Sequence, residues 1–201
     1  IATTTEDAHG EIVAQKDVEK PLFTGEIDQM MASFIGEITQ IPPMFSAVKV
    51  NGRRLYDYAR KGETVERPKR KAIIDSFERT SEPVYHAETK TMSWKFKVVC
   101  GKGTYVRTLA VDLGNKLNYP AHMSDLTRTK SGPFQSKDCY TLDEVRKLVE
   151  DNRLEEEVLQ PIDSIFSTYP RYELDETLWT RVRNGAVIEE EAFDTLPEEG
   201  V

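Results

Sequence analysis

From Met92 to Cys100 apolar residues recur at every second position (Met92, Trp94, Phe96, Val98, Cys100), with Ser93, Lys95 and Lys97 between them. That is the period of a strand with one apolar and one wet face. Gly101 and Gly103 then interrupt the pattern, and glycine tolerates positive φ or close backbone approach. After them the period changes: Val106, Leu109, Ala110, Leu113 and Leu117 fall at helical spacing. The chain from 92 to 117 therefore predicts a strand, a glycine turn and a buried helix, the kind of junction on which sites are built. Arg107 falls in the first turn of that helix, where the macrodipole disfavours a cation. A guanidinium there needs a partner, a carboxylate or a phosphate; from spacing alone, a solvated surface arginine is the commoner case.

The same reading gives the other elements. Thr24 can cap a helix whose Ile27, Met30, Met31, Phe34 and Ile35 make one apolar stripe, ended by Gly36. The two methionines are core filler rather than a cofactor box. Lys71 to Glu82, with Ile73, Ile74 and Phe77, reads as a strand, folded antiparallel against 91–100 through the turn-rich stretch from Pro83 to Lys90. Thr141-x-x-Glu144 is a capping box opening a helix with Val145, Leu148 and Val149 on one face, ending near Asn152. The fold class is α+β, a mixed, mainly antiparallel sheet with helices. Residues 1–10 are small and polar and read as a solvated loop leading into Glu11 to Val13. Glu6, Asp7 and His9 are too few for a hard metal and the wrong set for zinc, so no metal is expected.

Composition adds bounds. With 201 residues, 38% of them hydrophobic, the chain can hold one ordinary domain, or one plus a fragment. Cys100 and Cys139 cannot make a disulfide framework, and no signal peptide or membrane span is legible, so a cytoplasmic location is expected. The first residue is Ile1, which suggests a piece of a longer chain. Net charge is −8, which taken globally argues against nucleic acid, but the average hides an asymmetry. Residues 43–71 carry nine Lys or Arg against three acids, whereas 150–201 hold fifteen acids and four bases. One region can attract phosphate while the other repels it.

The basic region has its own order. Gln40-Ile41-Pro42-Pro43 is followed by Met44 to Val50, Asn51-Gly52, then Arg53 to Gly62. The prolines forbid a strand or helix interior, Asn51-Gly52 signals a tight turn, and Leu55 to Lys61 allows about two helical turns. This is an arm rather than a core element. Basic residues interleaved with Phe45, Tyr56 and Tyr58 offer phosphate contacts and stacking faces, the chemistry that looped RNA requires; a charge run alone favours a solvated hairpin. Gly101-Lys102 is not a P-loop, because that motif needs glycine and Ser or Thr where Phe96 and Gly103 stand.

Taken together, Gly103-Thr104-Tyr105-Val106-Arg107-x-Leu109-x-x-Asp112-Leu113-Gly114, Ala121-His122, Leu126-Thr127-Arg128 and Gly132-Pro133-Phe134 resemble the corresponding segments of the TruB-type tRNA pseudouridine synthases, relatives of the dyskerin enzymes. The arm resembles that family's mobile thumb, which clamps the T-arm of tRNA, at every position of Gln-x-Pro-Pro-x-x-Ser-Ala-x-Lys-x-x-Gly-x-x-x-Tyr-x-x-Ala-Arg-x-Gly from Gln40 to Gly62. The resemblance implies that Arg107 pairs with the catalytic aspartate, that Tyr105 packs on the flipped base and that Leu126 closes the pocket. It implies RNA contacts at Lys49, Arg53, Arg54, Tyr56 and Arg60, with Lys102 and Arg128 added from the matched stretch. Residues 3–10 resemble the family's Thr-Asp-Thr-x-Asp-x-x-Gly segment beside the active site, with Thr4 in place of the first aspartate and Asp7 in place of the second, so Asp7 joins the substrate-binding set. The implied organisation is a partial catalytic domain over 1–152, with the arm at 43–71, and part of a small PUA-like domain over 159–201.

Pseudouridylation breaks the N-glycosidic bond of a uridine, turns the base and rejoins it through C5, with no cofactor and no metal. It requires base flipping, an aromatic face and an aspartate kept ionised by a cation. The family's aspartate sits in Gly-x-Leu-Asp, which this sequence lacks: Leu142-Asp143 and Leu174-Asp175 have the wrong flanks, and Asp112 is off the Arg107 face. The aspartate is expected upstream, and the chain alone is expected to be inactive. The leading expectation is a synthase acting on the T-loop uridine (position 55) of tRNA, with tRNA as partner. The full enzyme is expected to be a monomer, and the cut core to favour self-association through open strand edges. The alternative is a non-catalytic RNA-binding module or tRNA chaperone. A hydrolase built on Asp7, His9 or His122 has little support, His122 being better explained as packed or hydrogen-bonded beside the helix end.

Overall fold

The computed structural model describes residues 1–166, 169, 171–189 and 192–193. The chain divides into two compact units, 1–126 and 127–201.

The first unit opens with a hairpin, β1 (Ala2–Thr3) against β2 (Ile12–Ala14), and the intervening loop carries Thr5, Glu6 and Asp7. Helix α1 (Thr24–Ala32) follows, then β3 (Gly36–Gln40), the arm hairpin β4 (Lys49–Val50) and β5 (Arg53–Arg54), and helix α2 (Leu55–Arg60). The long β6 (Arg70–Arg79), the small hairpin β7 (Val84–His86) and β8 (Thr91–Ser93), then β9 (Phe96–Cys100) lead to helix α3 (Val106–Lys116). The sheet is three-stranded and antiparallel, in the order β3-β6-β9.

On one face of this sheet lies the core: Ile27 and Met31 of α1, Phe34, Ile74 and Phe77 of β6, and Leu109, Leu113 and Leu117 from α3 and its end. Trp94, Phe96, Val98 and Cys100 pack against it, so the alternation from 94 to 100 marks the side chains turned toward the core. Phe77 meets Phe34 and Phe96 edge-on, at centroid distances of 6.1 and 4.8 Å, an arrangement that the ring quadrupoles favour. On β6 the buried positions are Ala72, Ile74 and Phe77. The change of parity after Ile74 comes from a register shift against β9 between Ile74 and Ser76, as an inserted residue in one strand requires.

Several expectations are corrected. Thr24 is the first helical residue rather than the cap; Phe23 precedes the helix and supplies no side-chain hydrogen bond. Helix α1 ends at Ala32, and Gly36 (φ +100°) opens β3 rather than closing the helix. Phe34 is buried from the connection beyond the helix, whereas Ile35 and Ile73 are more than half exposed. The expected strand 91–100 breaks at Trp94-Lys95, its first part pairing with β7 and only β9 joining the sheet. The arm is not wholly peripheral, since Leu55 has no exposed surface and Val48 and Tyr58 are buried.

The second unit holds β10 (Lys130–Ser131) and β11 (Phe134–Gln135), paired antiparallel, then α4 (Leu142–Glu150), α5 (Leu154–Glu157), a 3₁₀ turn over Ile162–Phe166 and α6 (Glu176–Arg183). Both halves of the Thr141/Glu144 capping box are present. Asp143 pairs with Arg146, and Asp175 caps α6 by accepting from the Leu178 amide, so both Leu-Asp pairs have structural roles. Pro170 and the acidic stretch 194–201 lie outside the described residues.

Candidate active site

Strand β9 ends at Cys100, and Gly101 extends its ladder by donating to the Ile73 carbonyl at 2.8 Å. Gly103, at φ +81°, occupies the left-handed region that β-carbon sterics deny to most residues. The turn delivers Tyr105 as the residue before α3 and puts Arg107 in the first helical turn.

Arg107 has the carboxylate partner that its position demands. Its Nη1 donates to Asp7 Oδ2 at 2.9 Å and to the Thr5 carbonyl at 3.0 Å, and its Nη2 donates to the Phe45 carbonyl at 2.9 Å. The side chains of Arg107 and Asp7 are 25% and 17% exposed, so the pair is largely shielded yet reachable. A guanidinium carries five N–H donors; these bonds use three, and among the described residues the Nε–H and one Nη2–H remain unengaged. The neighbouring Thr108 hydroxyl donates to Glu6 Oε2 at 2.6 Å, and the Met123 amide donates to the Glu6 carbonyl at 3.0 Å. The first turn of α3 and the segment after it thus grip residues 5–7, which are held rather than solvated as expected.

Asp7 is nearly saturated as an acceptor. Oδ1 receives the Thr5 hydroxyl at 2.7 Å and the His9 amide at 3.0 Å, and Oδ2 receives Arg107. Burial by itself pushes the carboxyl up, but the Thr5 hydroxyl, the His9 amide and the Arg107 guanidinium outweigh it and hold Asp7 below the ordinary aspartate value. Asp112, on the same helix, goes the other way: burial first, then the charge of Glu6, raise it.

Tyr105 is fixed by its main chain. Gln40, at the end of β3 and 2% exposed, accepts from the Tyr105 amide at 2.9 Å and donates to the Tyr105 carbonyl at 3.1 Å. In the sequence Gln40 stands out only as the first position of the arm motif, Glu6 only beside Asp7 and His9 as an insufficient metal set, and Thr108 not at all; the further signal for Gln40 was a polar residue two places after Ile38, on the inward face of a strand too polar to be read as one. His122 Nδ1 lies 2.8 Å from the Ile1 carbonyl, a hydrogen-bonding role as expected.

The arm forms as its turn signal requires, with Asn51 and Gly52 both at positive φ and Lys49 facing Arg54 across the hairpin. Its arginines divide into two sets. Arg53 is committed inward, bonded to Glu63 at 2.8 Å and lying 4.1 Å from the centroid of the Tyr58 ring. Arg54 and Arg60 lie at 5.6 and 5.1 Å from the Tyr56 ring centroid, and Arg54 also donates to the Tyr56 hydroxyl. Lys49, Arg54 and Arg60 are exposed, as is Lys102 in the glycine turn. Leu126 is half exposed at the end of the first unit, and Arg128 is exposed in the second. Among the described residues no group of three or more His, Cys, Asp or Glu could hold a metal ion, and no helix is long and apolar enough to cross a membrane.

Two family models match the chain: "TruB family pseudouridylate synthase (N terminal domain)" over residues 1–106, and "tRNA pseudouridylate synthase B C-terminal domain" over 107–167. The chain belongs to the TruB family. It is 53% identical over 187 residues to tRNA pseudouridine synthase B of Lactiplantibacillus plantarum, a match covering 93% of this chain and 61% of that protein. It is 48% identical over 193 residues to the protein of the same name from Halalkalibacterium halodurans, covering 96% and 62%. The chain thus spans about three fifths of the length of these relatives. Among solved structures it is similar to a chain in the crystal structure of a Cbf5-Nop10-Gar1 complex, with a TM-score of 0.62 and 27% identity over 85% of this chain and 46% of that one. Both TruB family matches meet at the Tyr105–Arg107 turn, the boundary between them falling at Val106/Arg107.

Proposed function

We propose that this chain carries the RNA-gripping and cation-bearing part of a tRNA pseudouridine synthase that isomerises the T-loop uridine of tRNA. The observation that carries the reading is Arg107, anchored on three sides yet keeping two N–H donors. Such a fork is suited to a second carboxylate, held ionised and oriented by it. Asp7 is not that second group: with three hydrogen bonds on its two oxygens and a lowered proton affinity, it is a poor nucleophile and a good anchor. The attacking aspartate is therefore assigned to a Gly-x-Leu-Asp segment that residues 1–201 do not contain, and the chain alone is expected to form no pseudouridine.

In this reading Tyr105 offers its ring to the flipped uracil, and Leu126 closes over it from the chain beyond α3. Lys49, Arg54, Tyr56 and Arg60 grip the T-arm backbone and bases; Lys102 and Arg128 add phosphate contacts. Arg53 shapes the arm, and Asp7 acts on the substrate through Arg107. The catalytic part is assigned to 1–152 and the beginning of a PUA-like domain to 159–201. The chemistry draws on these side chains and an aspartate alone.

The test is a chimera in which the matching part of the L. plantarum relative is replaced by this chain. It is expected to convert the T-loop uridine of an unmodified tRNA, and Arg107→Lys in the chimera to lower the single-turnover rate by about 10²-fold or more, as for the loss of an oriented electrostatic partner. A chimera that binds tRNA but forms no pseudouridine, or an Arg107→Lys chimera of undiminished rate, overturns the reading.

A further inference from the structure

Helix α3 has no cap of its own: Tyr105 precedes it with extended dihedrals (φ −98°, ψ 101°) and contributes no side-chain cap. Its main-chain groups are satisfied from 65 residues away, by both ends of the Gln40 amide. The Tyr105 carbonyl accepts twice, from Gln40 Nε2 and from the Leu109 amide that begins the helix, which uses both of its lone pairs. Gln40 is 2% exposed, so its amide is out of reach of RNA and of bulk water. It is also the last residue of β3 before Pro42 and Pro43, both buried. The arm root that follows is tied to the same turn again at the Phe45 carbonyl, which accepts from Arg107.

We propose that Gln40 is a positioning residue: its amide clamps the Tyr105 main chain, sets the Tyr105 ring and the Arg107 guanidinium, and couples the root of the RNA-binding arm to the pocket. Its relevance to catalysis rests on the function proposed above; the clamp itself does not. One donor and one acceptor are needed at fixed places, and few side chains supply both. Methionine matches the length and supplies neither. A neutral carboxylic acid supplies both and a carboxylate only the acceptor, so glutamate at this position is a replacement that protonation switches on. Burial and the Tyr105 carbonyl both favour its neutral form.

The experiment uses the 201-residue chain, with Gln40→Met and Gln40→Glu variants. It measures hydrogen-exchange protection factors and the amide and Arg107 side-chain NMR signals between pH 5 and 8. In the native chain these are expected to be flat with pH. Gln40→Met should lower protection at Tyr105 by about tenfold or more, the loss that an unmade buried hydrogen bond implies, and should shift the Arg107 signals, with Leu113 and Ile74 amides unchanged. Gln40→Glu should match the native chain at pH 5; at pH 8 its carboxylate still accepts from the Tyr105 amide but no longer donates to the Tyr105 carbonyl, so the Arg107 signals should move toward those of the methionine variant while Tyr105 amide protection stays above that of the methionine variant. Native protection in Gln40→Met, a pH-independent Gln40→Glu, or an equal loss across all core amides overturns the proposal. If Gln40→Met does not fold, the pH switch of Gln40→Glu decides alone. In the chimera, Gln40→Glu should lower kcat at pH 8 more than it raises KM, with recovery toward pH 6. A clamp that switches by NMR in an inactive chimera counts against the proposed function and leaves the clamp standing; a chimera active at pH 8 with an open clamp removes its catalytic role.

Discussion

Arg107 shows how far one residue can be read by itself. Its place in a first helical turn predicted an anionic partner, because the unpaired N–H groups there already carry positive charge. Which anion could not be read, since Asp7 lies 100 residues away and its loop appeared solvated. The energetics of the pair give a pH prediction. Asp7 titrates below its ordinary value, so near and below about pH 4, the usual aspartate range, the folded state binds fewer protons than the unfolded chain, and stability rises with pH there. This contribution is complete above the unfolded value and is lost as pH falls through the folded one. Asp7→Asn should therefore lower stability at pH 7 by about 1–3 kcal/mol, the cost of weakening bonds to a shielded charged group, and by much less at pH 2.5. Urea unfolding of both proteins at the two pH values measures this, and an equal loss at both would show that the carboxylate charge contributes nothing.

At the scale of elements, local signals carried the elements that local chemistry builds. The capping box opens α4 because both of its bonds are made within four residues, and Asn51-Gly52 closes the arm hairpin because both residues accept positive φ. Strand β3 was not legible: of Gly36, Glu37, Ile38, Thr39 and Gln40 only one is a large apolar residue, and its conformation is imposed by pairing along β6. The 91–100 pattern was read as one strand because alternation is blind to a change of partner. Helix α3 was legible in its apolar face, but its close crossing was not. A β-carbon on Gly114 would strike the Ala121 methyl and lie 2.7 Å from the Tyr119 carbonyl, so the chain returns over the helix only where the side chain is missing. Gly114→Ala should destabilise the first unit by about 1–3 kcal/mol through overpacking, despite alanine's better helix propensity. A thermal melt in which the variant gains stability would show that the returning segment yields freely.

At the scale of the whole molecule the charge separation matters more than the net charge. The arm gathers an excess of six positive charges on a chain of net −8, so the RNA binding proposed above should be steeply salt-dependent yet confined to that surface. Composition cannot tell which arginines remain free. Arg54 and Arg60 are exposed and lie over the half-buried Tyr56 ring, while Arg53 is held by Glu63 and Tyr58. With a T-arm stem-loop followed by fluorescence anisotropy, Arg54→Gln and Arg60→Gln should each reduce the slope of log affinity against log salt by about 1. Arg53→Gln should weaken binding with little change of slope; an equal slope change for all three would mean that Arg53 leaves Glu63 for phosphate. By itself the sequence determined the family, the strand-glycine-helix junction, the arm and its turn, and the need for an anion at Arg107, because each depends on residues close together in the chain or on a run of matched positions. Only the tertiary structure decided that Asp7 is that anion, that β3 completes the sheet, and that Gln40 holds Tyr105. Those contacts join residues 30 to 100 apart, and a buried polar group takes whatever partner the packed chain brings to it.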